Sequence, residues 1–160
     1  MPRMFMSYNP LDAGKRSKVV GMLNPLLATL ADLSSQVHHA HWNVKGPDFY
    51  QKHKMFDDLY GNIDGMLDDL GERITALGGF AEGTVRMACA SSMIDELVQA
   101  TDSMSLVRDL IDKHALVSGK MTQLIEAIDA LGDYTTANML QDMQHTIDKN
   151  LYFLESHIVS

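Results

Sequence analysis

Apolar residues recur at spacings of three and four along four long stretches of this chain, the period of one face of an α-helix. The pattern is most regular from about Asp48 to Leu77. The other three stretches run from about Lys18 to Val44, from Ser103 to Leu131 and from Thr135 to Ile158. No stretch shows the two-residue alternation of a half-buried strand. The sequence therefore predicts an all-α fold.

Glycine and proline mark several of the expected helix ends. Pro47 suits the start of the second helix, Gly78-Gly79 its end, and Gly132 the end of the third. Pro25 has two interpretations. With Asn24 as its cap it could lie in a first turn, or it could kink a longer helix. The sequence leaves both open.

The connections between the helices predict the topology. The first two helices and the last two are joined by short links, which favour antiparallel neighbours. Residues 80–102 are too many for a tight hairpin and can cross the length of a bundle; Ser92 suits the cap of a short extra helix ending near Val98. Four helices with one long crossover between helices two and three form the ferritin-like four-helix bundle. We expect residues 16–160 to form it and residues 1–15 to be a flexible tail.

Composition bounds the location of the protein. No run of 18 apolar residues predicts a transmembrane helix, and the first nine residues carry no long apolar run typical of a signal peptide. Cys89 is the only cysteine. An intrachain disulfide is therefore impossible, and we expect a buried, unreactive thiol in a reducing cytoplasm.

The net charge of −8 is unevenly distributed. Residues 1–18 hold four basic side chains, Arg3, Lys15, Arg16 and Lys18, against Asp12 alone, a balance of +3. Subtracting +3 from −8 leaves −11 on the rest. An acidic body argues against nucleic acid as its main partner. An acidic body can attract metal cations. The alternative is that the negative charge only keeps the protein soluble.

Potential metal ligands are concentrated at the end of the first helix and along the second. These residues are His38, His39, His41, His53, Asp57, Asp68 and Glu72. His53 and Asp57 are four residues apart, as are Asp68 and Glu72, and this spacing puts each pair on one helix face. Imidazole and carboxylate together favour iron, zinc or manganese over calcium or magnesium. The alternative is a solvated acidic face beside a core histidine.

One copy of the second helix cannot complete a metal site. Asp57 and Asp68 lie within roughly 20° of one face but about 16 Å apart along the axis. A two-fold axis near position 62.5 would pair His53 with Glu72, and Asp57 with Asp68, of a second antiparallel copy. Gly61 and Gly65 lie near this crossing, where missing side chains would let the helices approach.

At these residues the sequence resembles the Dps family (DNA-binding proteins from starved cells), small ferritin-like iron proteins. The matching segments are residues 41–49 (HWNVKGPDF), His53, Asp57, residues 68–73 (DDLGER) and residues 148–155 (DKNLYFLE). The resemblance covers nearly the whole chain beyond the first 15 residues. It implies a homo-oligomeric shell, a dodecamer, of four-helix subunits.

The resemblance also implies an activity, that of a ferroxidase. The family typically oxidises Fe(II) with hydrogen peroxide and stores ferric oxide in the hollow shell, which limits oxidative damage. The implied ligands of the iron, which are also the catalytic residues, are His41, His53 and Asp57 of one subunit with Asp68 and Glu72 of its neighbour. Trp42 resembles an aromatic residue of the family that quenches stray oxidising equivalents; a core tryptophan is the alternative. No Glu-x-x-His motif of the larger ferritins occurs.

Two departures leave family properties open. The family commonly has an acidic residue at the position of Asn138, lining a pore that admits iron; Asp142 or Asp133 could substitute. The family name also implies DNA binding through a basic tail, so a DNA-binding, nucleoid-associated shell is the alternative function. The remaining histidines match no family role. They are His38, His39, His114, His145 and His157.

Overall fold

The computed structural model describes residues 1–158, which form five helices and no strand. The helices are α1 (Ala13–Asn43), α2 (Phe49–Ala76), α3 (Val85–Ser91), α4 (Ser103–Ala130) and α5 (Tyr134–Glu155). The four long ones confirm the predicted bundle. The last two residues of the expected domain 16–160 lie outside the described part of the chain.

The ends of the long helices follow from local chemistry. The carboxylates of Asp12, Asp102 and Asp133 each accept a hydrogen bond from a backbone amide three residues on, which satisfies a free amide of the first turn. Gly78 after α2 and Gly132 after α4 have φ values of +81° and +83°, a backbone conformation that favours glycine. Both glycines therefore end their helices as the sequence predicts.

Pro25 lies inside α1, which continues through it. The helix begins at Ala13, five residues earlier than predicted. The Thr29 hydroxyl donates to the carbonyl of Pro25 at 2.7 Å. The Pro25 alternatives are thus settled in favour of the longer helix.

The short extra helix exists, but its predicted position is wrong. It spans Val85–Ser91 and is capped by the hydroxyl of Thr84, so Ser92 follows its end rather than starting it. Amides of the predicted segment instead bond to tertiary partners. Met93 N donates to Thr29 Oγ1 at 3.0 Å, and Val98 N donates to a carboxylate oxygen of α4 at 2.7 Å. Those bonds replace the helical ones.

The long crossover, residues 80–102, packs along α1 from the middle of that helix to its C-terminal end. Met93 contacts Thr29, the Asp95 carbonyl accepts from Gln36 Nε2 at 3.0 Å, and the Thr101 carbonyl accepts from Lys45 N at 2.7 Å. Helix α4 therefore starts beside the end of α1 and runs antiparallel to it. The main packing is of α1 on α2 and of α4 on α5, as the short links predict.

The first residues lie against the end of α2. Phe5 N donates to the Gly78 carbonyl at 2.6 Å, and Phe80 N donates to the Arg3 carbonyl at 3.0 Å. Residues 13–15, assigned to the tail, form the first turn of α1. Flexibility of the segment before them stays a prediction. Among the described residues, no helix is long and apolar enough to cross a membrane.

Candidate metal centre

Two imidazoles meet where α1 ends and α2 begins. The rings of His41 and His53 stack with centroids 3.8 Å apart and planes 20° from parallel. His41 Nδ1 lies 2.8 Å from the His53 carbonyl oxygen, and His53 Nδ1 lies 2.8 Å from the His41 carbonyl oxygen. Each ring is thus held by the backbone of the other residue.

This reciprocal bonding fixes the tautomer of both rings. A carbonyl oxygen can only accept a hydrogen bond, so each Nδ1 carries a hydrogen, and the tautomer compatible with this bond has its lone pair on Nε2. Metal-ligating histidines commonly have their second nitrogen tied to a carbonyl in this way. Both side chains are half-buried. The pair therefore presents two oriented nitrogen donors at the surface.

The carboxylates are available but not assembled around this pair. Asp57 is one turn along α2 from His53, half-exposed, with one oxygen 3.9 Å from Lys54 Nζ, and an exposed ion pair of this kind contributes little stability. Asp68 and Glu72 are exposed further along α2. Within residues 1–158, no three His, Cys, Asp or Glu side chains lie close enough to hold one metal ion. The prediction of shared sites between chains stays a prediction.

The exposed face of α2 has a symmetric layout. The midpoint of α2, between Phe49 and Ala76, falls at position 62.5, which is the position predicted for the two-fold axis. A Cβ built on Gly61 or Gly65 would meet no atom within 4 Å. Packing within the chain therefore gives no reason for glycine here, although glycine inside a helix costs about 1 kcal/mol relative to alanine. A crossing with a second chain would give one.

Trp42 is exposed rather than part of the core, with 61% of its surface accessible. The His38 ring lies between Trp42 and Tyr60, with centroid distances of 4.2 and 4.1 Å, and 5.6 Å from the His41 ring. Sequence reasoning did not assign this contact. The spacing of His38 three and four residues before His41 and Trp42 was a usable signal for the α1 side of it.

The three pore candidates differ in their surroundings. Asp133 is buried, and its carboxylate accepts from Arg73 Nη2 at 2.8 Å and from the Thr136 hydroxyl. Its hydrogen bonds join α2 to the start of α5. Asn138 and Asp142 are exposed on α5. Asp142 is thus the candidate that retains a free carboxylate, and a pore role stays a prediction.

The other histidines have varied environments. His114 is fully buried in α4, with Nδ1 2.7 Å from the Leu110 carbonyl and, within the described part of the chain, no partner for Nε2. His145 is exposed, His39 half-buried, and the exposed His157 bonds to the Phe153 carbonyl at 2.8 Å. Nothing in these contacts joins them to the His41–His53 pair.

Cys89 and Arg16 differ from expectation. Cys89 is exposed on α3, so the prediction of a buried thiol is wrong. The short helix has a narrow buried face and buries Ala88 instead.

Arg16 is buried, and its guanidinium donates to the carbonyls of Leu77 and Leu11 at 2.9 and 3.0 Å. One of the four basic residues counted for DNA binding thus caps α2.

The chain is similar in sequence and in structure to proteins of known family. The model of the Ferritin-like domain matches residues 20–160. A DNA protection during starvation protein of Agrobacterium fabrum is 31% identical over 94% of this chain and 93% of its own length. The structure of DpsA14 from Streptomyces coelicolor has a TM-score of 0.94 at 26% identity, covering 99% of this chain and 95% of that one. The Mycobacterium smegmatis Dps structure gives 0.92 at 27% identity, covering 98% and 96%.

Proposed function

The chain belongs to the Dps family of ferritin-like proteins, and from that premise we propose that it is a ferroxidase that oxidises Fe(II) and stores the ferric product. The active unit is a pair of subunits related by a two-fold axis across α2. The complete protein is a hollow homo-oligomer, the dodecamer that the family resemblance implies, in the cytoplasm.

The observation that carries this proposal is the orientation of the imidazole pair. Backbone bonds hold both Nδ1 atoms of His41 and His53, so both Nε2 lone pairs are free for Fe(II). The half-exposed Asp57 adds a carboxylate one turn away. These three residues are one half-site. The other half is Asp68 and Glu72 of the partner subunit.

The division of labour between donors suits iron oxidation. The three carboxylates offset the cation's charge and favour Fe(III) as it forms, because a trivalent ion interacts more strongly with negative charge. The imidazoles fix the geometry and leave positions open for the oxidant. One hydrogen peroxide molecule accepts one electron from each of two Fe(II) ions. With two protons it then forms two water molecules. Iron is the substrate and, as ferric oxide, the stored product.

The experiment compares two neighbouring aspartates. Asp57→Asn removes the half-site carboxylate, whereas Asp58→Asn removes an exposed carboxylate on another face of α2. We expect Asp57→Asn to slow peroxide-driven Fe(III) formation about 10- to 100-fold, and Asp58→Asn to match the unmodified protein in a stopped-flow absorbance assay. Adding His53→Ala to Asp57→Asn should abolish the rapid phase. Unchanged rates in that double variant would contradict the proposal.

A further inference from the structure

A cleft lies between α1, α3 and the crossover residues 92–96. Its volume is about 490 Å³, which is within the range of pockets that hold small molecules. We call it the acidic cleft because three carboxylates line it, those of Asp32, Asp95 and Glu96. Within residues 1–158, none of the three forms an ion pair, and no basic side chain lines the cleft.

The one ammonium group that contacts this part of the crossover is already paired. Lys113 Nζ lies 3.5 Å from the Glu96 carbonyl oxygen, but it also lies 3.1 Å from both carboxylate oxygens of Asp109. Its charge is therefore offset within α4. The carboxylates of the acidic cleft repel one another on a chain whose net charge is already −8, and a bound cation would relieve that repulsion.

Gln36 independently indicates that the cleft takes a hydrogen-bond donor. This cleft-lining side chain is only 4% exposed. Its Nε2 donates to Asp32 Oδ1 at 2.9 Å and to the Asp95 carbonyl at 3.0 Å, which fixes the orientation of the amide between two residues of the cleft wall. Its Oε1 has no hydrogen-bond partner within the described part of the chain. A buried acceptor without a donor costs free energy, which an N–H group bound in the cleft would recover.

The spread of these groups favours an extended organic cation over a metal ion. Within residues 1–158, no three His, Cys, Asp or Glu side chains lie close enough to hold one metal ion. The carboxylates of the cleft are therefore too far apart to surround a point charge. An aliphatic polyamine has several ammonium groups separated by flexible carbon chains, so it can reach separate carboxylates and donate N–H groups to each.

We propose that the acidic cleft binds an aliphatic polyamine. Its ammonium groups pair with Asp32, Asp95 and Glu96, and one N–H donates to Gln36 Oε1. The cleft shares no lining residue with the candidate metal ligands, so this binding does not depend on the ferroxidase centre. Because the attraction is between charges near the surface, the affinity falls as the salt concentration rises.

Cys89 provides a direct test, because it is the only cysteine of the chain and its exposed thiol lines the cleft. The rate of its alkylation by the neutral reagent N-ethylmaleimide is measured on the intact protein at constant ionic strength. We expect millimolar spermidine to slow alkylation several-fold, and magnesium chloride to leave the rate unchanged. A rate that spermidine leaves unchanged, or that both cations lower equally, would overturn the proposal. A thiol that does not react in the intact protein would overturn it too, because the cleft would then be covered.

Variants tie the binding to the carboxylates. The double variant Asp32→Asn with Glu96→Gln removes two charges from the cleft, and the control Asp112→Asn removes an exposed carboxylate of α4 outside it. By isothermal titration calorimetry we expect the double variant to bind spermidine about 10-fold more weakly and Asp112→Asn to bind it as the unmodified protein does. Circular dichroism and native mass check that the double variant is folded and assembled. Equal affinities in the double variant and the control would refute the proposal.

Gln36→Met tests the contact with the amide oxygen. Methionine has a similar length and removes Oε1 while the three carboxylates stay. We expect several-fold weaker spermidine binding with an unchanged dependence on salt, because the number of ion pairs is the same. An unchanged affinity would contradict the role of Gln36 as the acceptor.

Discussion

The imidazole of His114 lies in the core of the bundle with no solvent exposure. Burial disfavours its charged form and lowers its pKa from 6.5 to about 4, against the opposing effect of its hydrogen bond to Leu110. Its Nε2 has no hydrogen-bond partner among residues 1–158. The residue is therefore neutral in the folded protein at neutral pH.

This depressed pKa predicts a pH dependence of stability. Above pH 6.5 His114 is neutral in both states, whereas between pH 6.5 and about 4 the unfolded chain takes up a proton that the folded chain does not. The free energy of unfolding should therefore fall as the pH falls through this window, by about 3 kcal/mol from this residue. Urea denaturation at several pH values measures it.

His114→Leu should remove that share of the pH dependence. The exposed His157 provides the control, since His157→Leu leaves the buried imidazole in place. If the unmodified protein and His114→Leu lost the same free energy of unfolding between pH 7 and pH 4, His114 would not titrate as the buried position requires.

At the scale of the element, α2 has two unlike faces. Phe56, Ile63 and Leu70 are fully buried on one side. The exposed stripe carries the acids, with Gly61 and Gly65 at its centre. Core packing accounts for the first face and not for the second. The proposed crossing with the α2 of a second subunit would give the exposed glycines a role.

Alanine at one of these glycines tests the crossing. Gly119 in the middle of α4 is also exposed, and a methyl group added there would meet no atom within 4 Å. We expect Gly119→Ala to raise the free energy of unfolding by up to about 1 kcal/mol. Gly61→Ala should instead weaken assembly, because the added methyl group would collide with the α2 helix of the neighbouring subunit. Native mass measured over a protein dilution series distinguishes them.

A Gly61→Ala protein that assembles as well as the unmodified protein and gains the same stability as Gly119→Ala would contradict the crossing. Gly119→Ala is a matched control because both substitutions replace a helical glycine far from a helix end.

For the whole molecule, charge bears on the alternative of a DNA-binding shell. Of the four basic residues near the start, Arg16 is buried in the cap of α2, and Arg3 lies 4.9 Å from the centre of the Phe5 ring. Arg3 is nevertheless exposed, and Lys15 and Lys18 are exposed ammonium groups in α1. Few free cations on an acidic protein make a weak phosphate-binding surface.

We therefore expect the intact protein not to retard duplex DNA in a gel at about 0.15 M salt. The test variant is Lys15→Gln with Lys18→Gln, because deleting residues 1–18 would also remove the Arg16 cap and the first turns of α1. Retardation that the double variant abolishes would favour the DNA-binding shell.

Local patterns determined much of this protein. Apolar spacing and the flanking glycines predict α2 to within one residue at each end, because a helix and its caps depend on neighbours along the chain. The shared faces of His53 with Asp57 and of Asp68 with Glu72 were also local, since a spacing of four on one helix puts two side chains on one face, whereas their role as metal ligands stays a prediction. The family resemblance assigned His41 and His53 to one site, and the structure shows their rings stacked.

Tertiary structure alone decided the rest. The position of α3, the burial of Arg16 and the His38–Tyr60 stack depend on contacts between residues far apart in the sequence. The amides of residues 93 and 98 bond to α1 and α4 rather than to a helix of their own. Sequence spacing does not encode such partners, because a backbone amide donates to whichever oxygen the packed helices bring within reach.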